Sequence, residues 1–217
     1  RTPARFVFAV VVVAALTGCA TSVNSLSPAE MRSINIQQID INYAPNVEIW
    51  WGNAEREYAA KVAPNSNTVK PAKSASDIGA AQGAQDGDDY RAIMDTPEAK
   101  KYQRDKLEAM IRDRLNTFVV PDYKGTRPVR LEVLVQNLVI PSPFHRPAIG
   151  ATPPLLNAGT VLLDDATGKE LAKLDKVRTG TAFGGIIGVA VDQAGDDLED
   201  RALDDYVKNV RAWLAGE

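Results

Sequence analysis

The order of apolar and polar positions along the chain predicts a sheet and two long helices. Val129, Leu131, Val133 and Val135 alternate with Arg130, Glu132, Leu134 and Gln136, the two-residue period of a strand with one covered face. The run thickens to Leu138-Val139-Ile140, which predicts fuller burial toward the end of a strand over residues 128 to 140. Ile34, Ile36, Ile39 and Ile41 also alternate, but Gln37-Gln38 shifts their phase by one residue, as a β-bulge does. A second apolar run, Val47 to Trp51, ends at Gly52; in a strand Trp50 and Trp51 face opposite sides, one toward the core and the other as a surface contact. Thr160 to Leu163 and Glu170 to Val177 flank Asp164-Asp165-Ala166-Thr167-Gly168-Lys169. These are two arms and a turn, with Gly168 free to take positive φ.

Two segments carry the helical period instead. Thr96-Pro97-Glu98 supplies a capping hydroxyl, a proline for the first turn and an acid at the positive end of the dipole. Tyr102, Leu107, Met110, Ile111, Leu115 and Phe118 then form one apolar stripe before Pro121, which predicts a core-packing helix over about 96 to 118. Between Asp192 and Leu214, Leu198, Ala202, Tyr206, Val210 and Trp213 recur at three or four residues, placing a terminal helix at about 195 to 214. Its acids (Asp196, Asp197, Glu199, Asp200, Asp204, Asp205) crowd the N-terminal half and Lys208 and Arg211 come late, which suits the dipole. The acidic run reads as a solvated face, with a cation or basic partner as the sharper alternative. From Pro64 to Asp89 large apolar residues almost vanish. Such a stretch cannot offset its ordering entropy and is expected to be a disordered or mobile insertion.

The N-terminus follows a different pattern. Arg1 and Arg5 precede an uncharged run from Phe6 to Leu16, and small residues close it, the form of a secretory signal over residues 1 to 18. The run is shorter than the ~20 residues needed to cross a bilayer. With no methionine at position 1, a residue or more is expected to have been trimmed. Leu16-Thr17-Gly18-Cys19 resembles the lipobox of bacterial lipoproteins: an aliphatic residue, two small ones, then cysteine. The resemblance implies diacylglycerol on the Cys19 thiol, cleavage after Gly18 and acylation of the new amine. Ala20 in place of Asp after the cysteine implies release to the outer membrane. Cys19 is the only cysteine, so it has no intramolecular disulfide partner. Two or more acyl chains anchor stably where one does not. The alternative is an ordinary secretory signal that ends near a free cysteine. Residues 19 to 33, small and polar, read as a flexible tether.

Charge and cysteine count narrow the partners. The net charge of −3 becomes −5 once Arg1 and Arg5 leave with the leader. A mildly acidic domain lacks the basic footprint of a nucleic-acid binder, so no nucleic acid is expected. The expected contacts are the membrane, through the N-terminal lipid, and an envelope protein partner. Without a second cysteine the fold rests on its core, and the 45% of hydrophobic residues supply one.

Candidate chemistry is sparse. Asp86-Gly87-Asp88-Asp89 lacks the ligand spacing and distal glutamate of a calcium loop and reads as solvated. His145, the sole histidine, sits in Phe144-His145-Arg146-Pro147 within a proline-rich excursion from Pro141 to Pro154. There it is either loop surface or a contact for an acidic group. Asp164-Asp165 reads as turn capping before it reads as a carboxylate pair. The glycines of Thr181-Ala182-Phe183-Gly184-Gly185-Ile186-Ile187-Gly188-Val189-Ala190-Val191 match neither a phosphate loop nor a dinucleotide fingerprint. They are expected to let an apolar backbone pack closely, with an interaction patch as the alternative. A single histidine excludes a multi-histidine metal site, and no Gly-x-Ser-x-Gly elbow occurs.

Arg127-Pro128-Val129, Asp165-Ala166-Thr167-Gly168, Ala182-Phe183-Gly184-Gly185 and the terminal helix resemble a family of uncharacterised bacterial lipoproteins of unknown function. Val47-Glu48-Ile49-Trp50-Trp51-Gly52 is similar to a valine-tryptophan-glycine element of that family. The resemblance implies an α/β envelope domain and carries over no catalytic residue. The resulting expectation is one α/β (α+β) domain over residues 34 to 214, two-layered, with a mostly antiparallel sheet and helices packed on one face. Its expected role is a non-enzymatic accessory or scaffold at the outer membrane facing the periplasm. A ligand-binding module through the His145 loop is second and a carboxylate-based hydrolase last. No cofactor, metal or catalytic residue is expected; the one site residue is Cys19, for lipid attachment.

Overall fold

The computed structural model describes residues 23–24, 26–64, 92–140, 155–179 and 198–216. In chain order they form β1 (Val23–Asn24), α1 (Pro28–Ser33), β2 (Ile34–Trp51), α2 (Gly52–Val62), α3 (Pro97–Phe118), a 3-10 turn (Val120–Asp122), β3 (Arg127–Ile140), β4 (Leu155–Asp164), β5 (Glu170–Thr179) and α4 (Leu198–Ala215). The strands make one sheet in the order β1-β5-β4-β3-β2. Only β2 and β3 run parallel; every other neighbouring pair is antiparallel. This is the expected α+β class, four long strands and a two-residue fifth under one layer of helices.

The alternation in β3 decides the layering. Val129, Leu131, Val133 and Val135 are fully buried, as are Leu156, Ala158, Thr160 and Leu162 of β4. Leu107, Ile111 and Leu115 of α3 and Leu198, Ala202, Tyr206 and Val210 of α4 close over them in a single core that runs from Met31 to Leu214. Thr160 is a sheet residue on this face with a buried hydroxyl, and it bonds Tyr206 Oη across the layers at 2.7 Å. The pairing satisfies two polar groups that burial would otherwise leave without water. The other face carries Asp40, Glu132, Val161 and Lys173, which lie opposite one another in a single row across β2, β3, β4 and β5.

The hairpin closes as its residues require. Gly168 takes φ +68°, and Asp164 Oδ1 accepts hydrogen bonds from the Thr167 N–H and hydroxyl at 3.1 and 2.8 Å. The ladder shifts between Ile36 and Gln38, where Gln37-Gln38 predicts a bulge. Trp51 is buried and Trp50 half-buried on the opposite side of the strand.

Three expectations change. Residues 19 to 33 are not one tether. Val23 and Asn24 pair with Lys173 and Ala172, and residues 28 to 33 are helical. The reason lies in Ser27-Pro28-Ala29-Glu30, where the Ser27 hydroxyl accepts from the Glu30 N–H and the Glu30 carboxylate accepts from the Ser27 N–H. This capping box starts the helix, and buried Met31 packs it into the core. The two apolar runs at 34–41 and 47–51 belong to one 18-residue strand with a second irregularity between Tyr43 and Glu48. Phe118, assigned above to the buried stripe of α3, is 50% exposed.

Candidate functional site

Most of the sequence's chemical candidates fall outside the described residues: Cys19, the insertion beyond Pro64 with Asp86 to Asp89, the His145 excursion and the stretch from Thr181 to Val191. Several of the described acids join elements of the fold. Asp164, besides capping its turn, accepts from Arg127 Nε and Nη2 at 3.1 and 2.9 Å. The Thr167 hydroxyl and then the Arg127 guanidinium hold its carboxyl below the usual range. Asp165 stands exposed beside it, so the adjacent acids do not act as a pair. In α4, Asp200 and Asp204 lie one turn apart and both clamp Arg114 of α3, whose side chain is only 15% exposed. Two acids of that run thus have a basic partner within the same chain, and Asp196 and Asp197 lie outside the described residues. Glu199 accepts from Asn53 of α2 at 3.2 Å.

A second polar cluster joins α2 to α3. Glu57 accepts from the Tyr102 hydroxyl at 2.5 Å and from the Lys106 ammonium. Lys61 donates to Tyr102 at 3.0 Å and lies over its ring, while Lys106 lies 5.2 Å from the Trp51 ring centre. The Lys106 hydrogen bond, then that from Tyr102, pulls the Glu57 carboxyl down to about 2. A carboxylate held ionised by two donors is a poor proton donor near neutrality. The cluster works as a staple between helices.

A concavity lies where α3, the 3-10 turn and the C-terminal half of α4 meet. It is a groove of about 500 Å³ lined by Phe118, Tyr123, Val207, Ala212 and Ala215, with Asp122, Asp204, Lys208 and Arg211 on its rim. Pro121 turns the chain out of α3 and leaves Phe118 beside the groove, while Val119 turns into the core. Arg211 bonds Asp122 at 2.9 Å, and Asp204 is held by Arg114, so the rim charges are largely paired. Apolar lining beside a largely paired ionic rim suits the groove to contact with an amphipathic group. The sequence reading assigned Phe118 to the core and so missed this groove. The signal was Phe118-Val119-Val120, more apolar surface than one helix end can bury.

Among the described residues no three of His, Cys, Asp or Glu come together as metal ligands. No described helix is long and apolar enough to cross a membrane. No family model, curated protein or solved structure matches the chain.

Proposed function

We infer that the protein is a bacterial envelope lipoprotein, held at the outer membrane by lipid on Cys19 and presenting its α+β domain to the periplasm as a non-enzymatic accessory or scaffold. The observation that carries this reading is the sequence Leu16-Thr17-Gly18-Cys19 after an uncharged run, with the first strand beginning four residues later at Val23. A thiol is the fitting nucleophile for a lipid donor, and the folded domain follows close behind the residue to be modified. The scaffold reading also accords with Asp164, Asp200, Asp204 and Glu57, each spent on joining elements. Cell fractionation tests it. Cys19→Ser should leave the leader attached and abolish acylation, and wild type should partition with outer membranes. Wild type recovered wholly in the soluble periplasmic fraction would refute the reading.

A second reading, a ligand-binding module, is favoured by the groove beside Phe118. A rise in the thermal midpoint would report occupancy there. A saturable change on titration with envelope extracts, lost in Phe118→Ala, would support this reading over the scaffold.

A further inference from the structure

Resting on the lipid-anchor reading above, we propose that the β1–β5 edge of the sheet is the membrane-facing edge of the domain, apposed to the phospholipid surface that carries the Cys19 lipid, while the β2 edge points away. Three residues separate Cys19 from Val23. Four fully extended steps cover at most about 14 Å, so the lipid-bearing residue cannot lie farther than that from the start of β1. Val23 is itself fixed, paired with Lys173 while Asn24 pairs with Ala172.

The chain beyond β1 holds that fixture. β1 and β2 are the two outermost strands, about 19 Å apart at ~4.8 Å per neighbour. Residues 25 to 33 make the whole crossing between them. The capping box at Ser27 and the buried Met31 pin this crossing to the core. A pull on Cys19 is therefore delivered to the β5 edge, with no long linker in which to dissipate. Beyond Lys173 the outer side of β5 has no strand partner among the described residues.

The test uses full-length protein processed in cells, extracted from membranes and returned to vesicles that contain a nitroxide-headgroup phospholipid. A fluorophore is attached through an azide-bearing residue at Asp175 or at Asn42. Asn42 lies on β2 with Leu134 opposite it and Gly159 opposite Leu134, and Asp175 of β5 borders the same hollow as Leu134 and Gly159. Quenching at Asp175 is expected to exceed that at Asn42 by about threefold or more, given ~14 Å between the strands that carry them. Inserting twelve Gly/Ser residues after Ser22 should bring the two signals together, because a flexible leash of that length reaches ~20 Å in any direction. Lys173 and Gln38 serve as the second label pair if either first substitution disturbs the circular dichroism spectrum. Equal quenching at both edges, or a difference that survives the insertion, overturns the proposal. The mass of the N-terminal peptide from the same preparation separates the two levels. An unmodified Cys19 defeats the anchor reading and this proposal with it, whereas a lipidated Cys19 with equal quenching defeats the proposal alone.

Discussion

The sheet has two edges finished in different ways. β2 runs for 18 residues and β1 for two. The long edge carries its own protection: its ladder with β3 breaks between Ile36 and Gln38 and again between Tyr43 and Glu48. Pro45 lies in the second break, where a missing N–H removes nothing from the ladder. Bulges and proline spoil an edge as a template for pairing. The short edge has register shifts too, in the β4–β5 ladder between Ala158 and Thr160 and between Leu162 and Leu163. It differs in being partly covered by the chain itself, where Val23 and Asn24 pair with Lys173 and Ala172 before the crossing through α1.

The sharpest way to break this arrangement is at the crossing itself. Gly125 donates to the Ile34 carbonyl at 2.8 Å, and a Cβ there would stand 2.2 Å from the Ser33 carbonyl oxygen. The clash is with backbone, so the end of α1 would have to move. Gly125→Ala should cost about 3 kcal/mol or more, read as a lower denaturation midpoint. An unchanged midpoint would mean that α1 is free to shift. Met31→Ala removes the side chain that pins the crossing and should cost about 2 kcal/mol, the low end for a buried methionine because the site lies near the surface. Hydrogen exchange should quicken at Asn24 and Ala172 before it does in β3. Uniform quickening would show that β1 is no separate unit.

These two residues also show how far the sequence could be read. The alternation at 129 to 135, the hairpin about Gly168 and both long helices were legible because one face of each is buried and the other wet. α1 was overlooked, although Ser27-Pro28-x-Glu30 carries a capping signature, because six residues offer no periodicity. α2 was overlooked for a different reason: its buried residues are Gly52, Ala54 and Ala59, too small to form an apolar stripe. Its Glu, Arg, Lys and Ala content was the remaining signal. The length of β2 is hidden by Asn42-Tyr43-Ala44-Pro45-Asn46, where a proline and two asparagines break the apolar alternation and only an edge strand tolerates them. The groove beside Phe118 is signalled in sequence only by the apolar Phe118-Val119-Val120, and which of the three stays outside depends on which way the chain leaves α3.

Smaller effects sharpen the comparison. Ser27→Ala removes the cap of α1 and should cost about 1 kcal/mol, while Ser27→Asp, which keeps an acceptor at the cap, should cost less. Equal losses would put the hydroxyl outside the account. Acid should act at the end of β2 as well, through the Glu57 staple between α2 and α3. Its carboxyl sits near 2 rather than the ordinary 4.5, so the stabilisation it gives is complete above about pH 4.5 and is lost as pH falls through 2. Glu57 is nearly half exposed, so the loss should stay under about 1 kcal/mol. Glu57→Gln should flatten that part of the stability profile between pH 5 and pH 2 relative to wild type, and profiles that superimpose would remove the staple from the argument.

All of this presumes that the chain is held where Cys19 is. Mass spectrometry of the membrane-extracted protein tests that most directly. The account predicts an N-terminal peptide that begins at Cys19 and carries diacylglyceryl on sulfur and an acyl group on nitrogen. A peptide with a free Cys19 thiol, or one that still extends through Gly18, would contradict it.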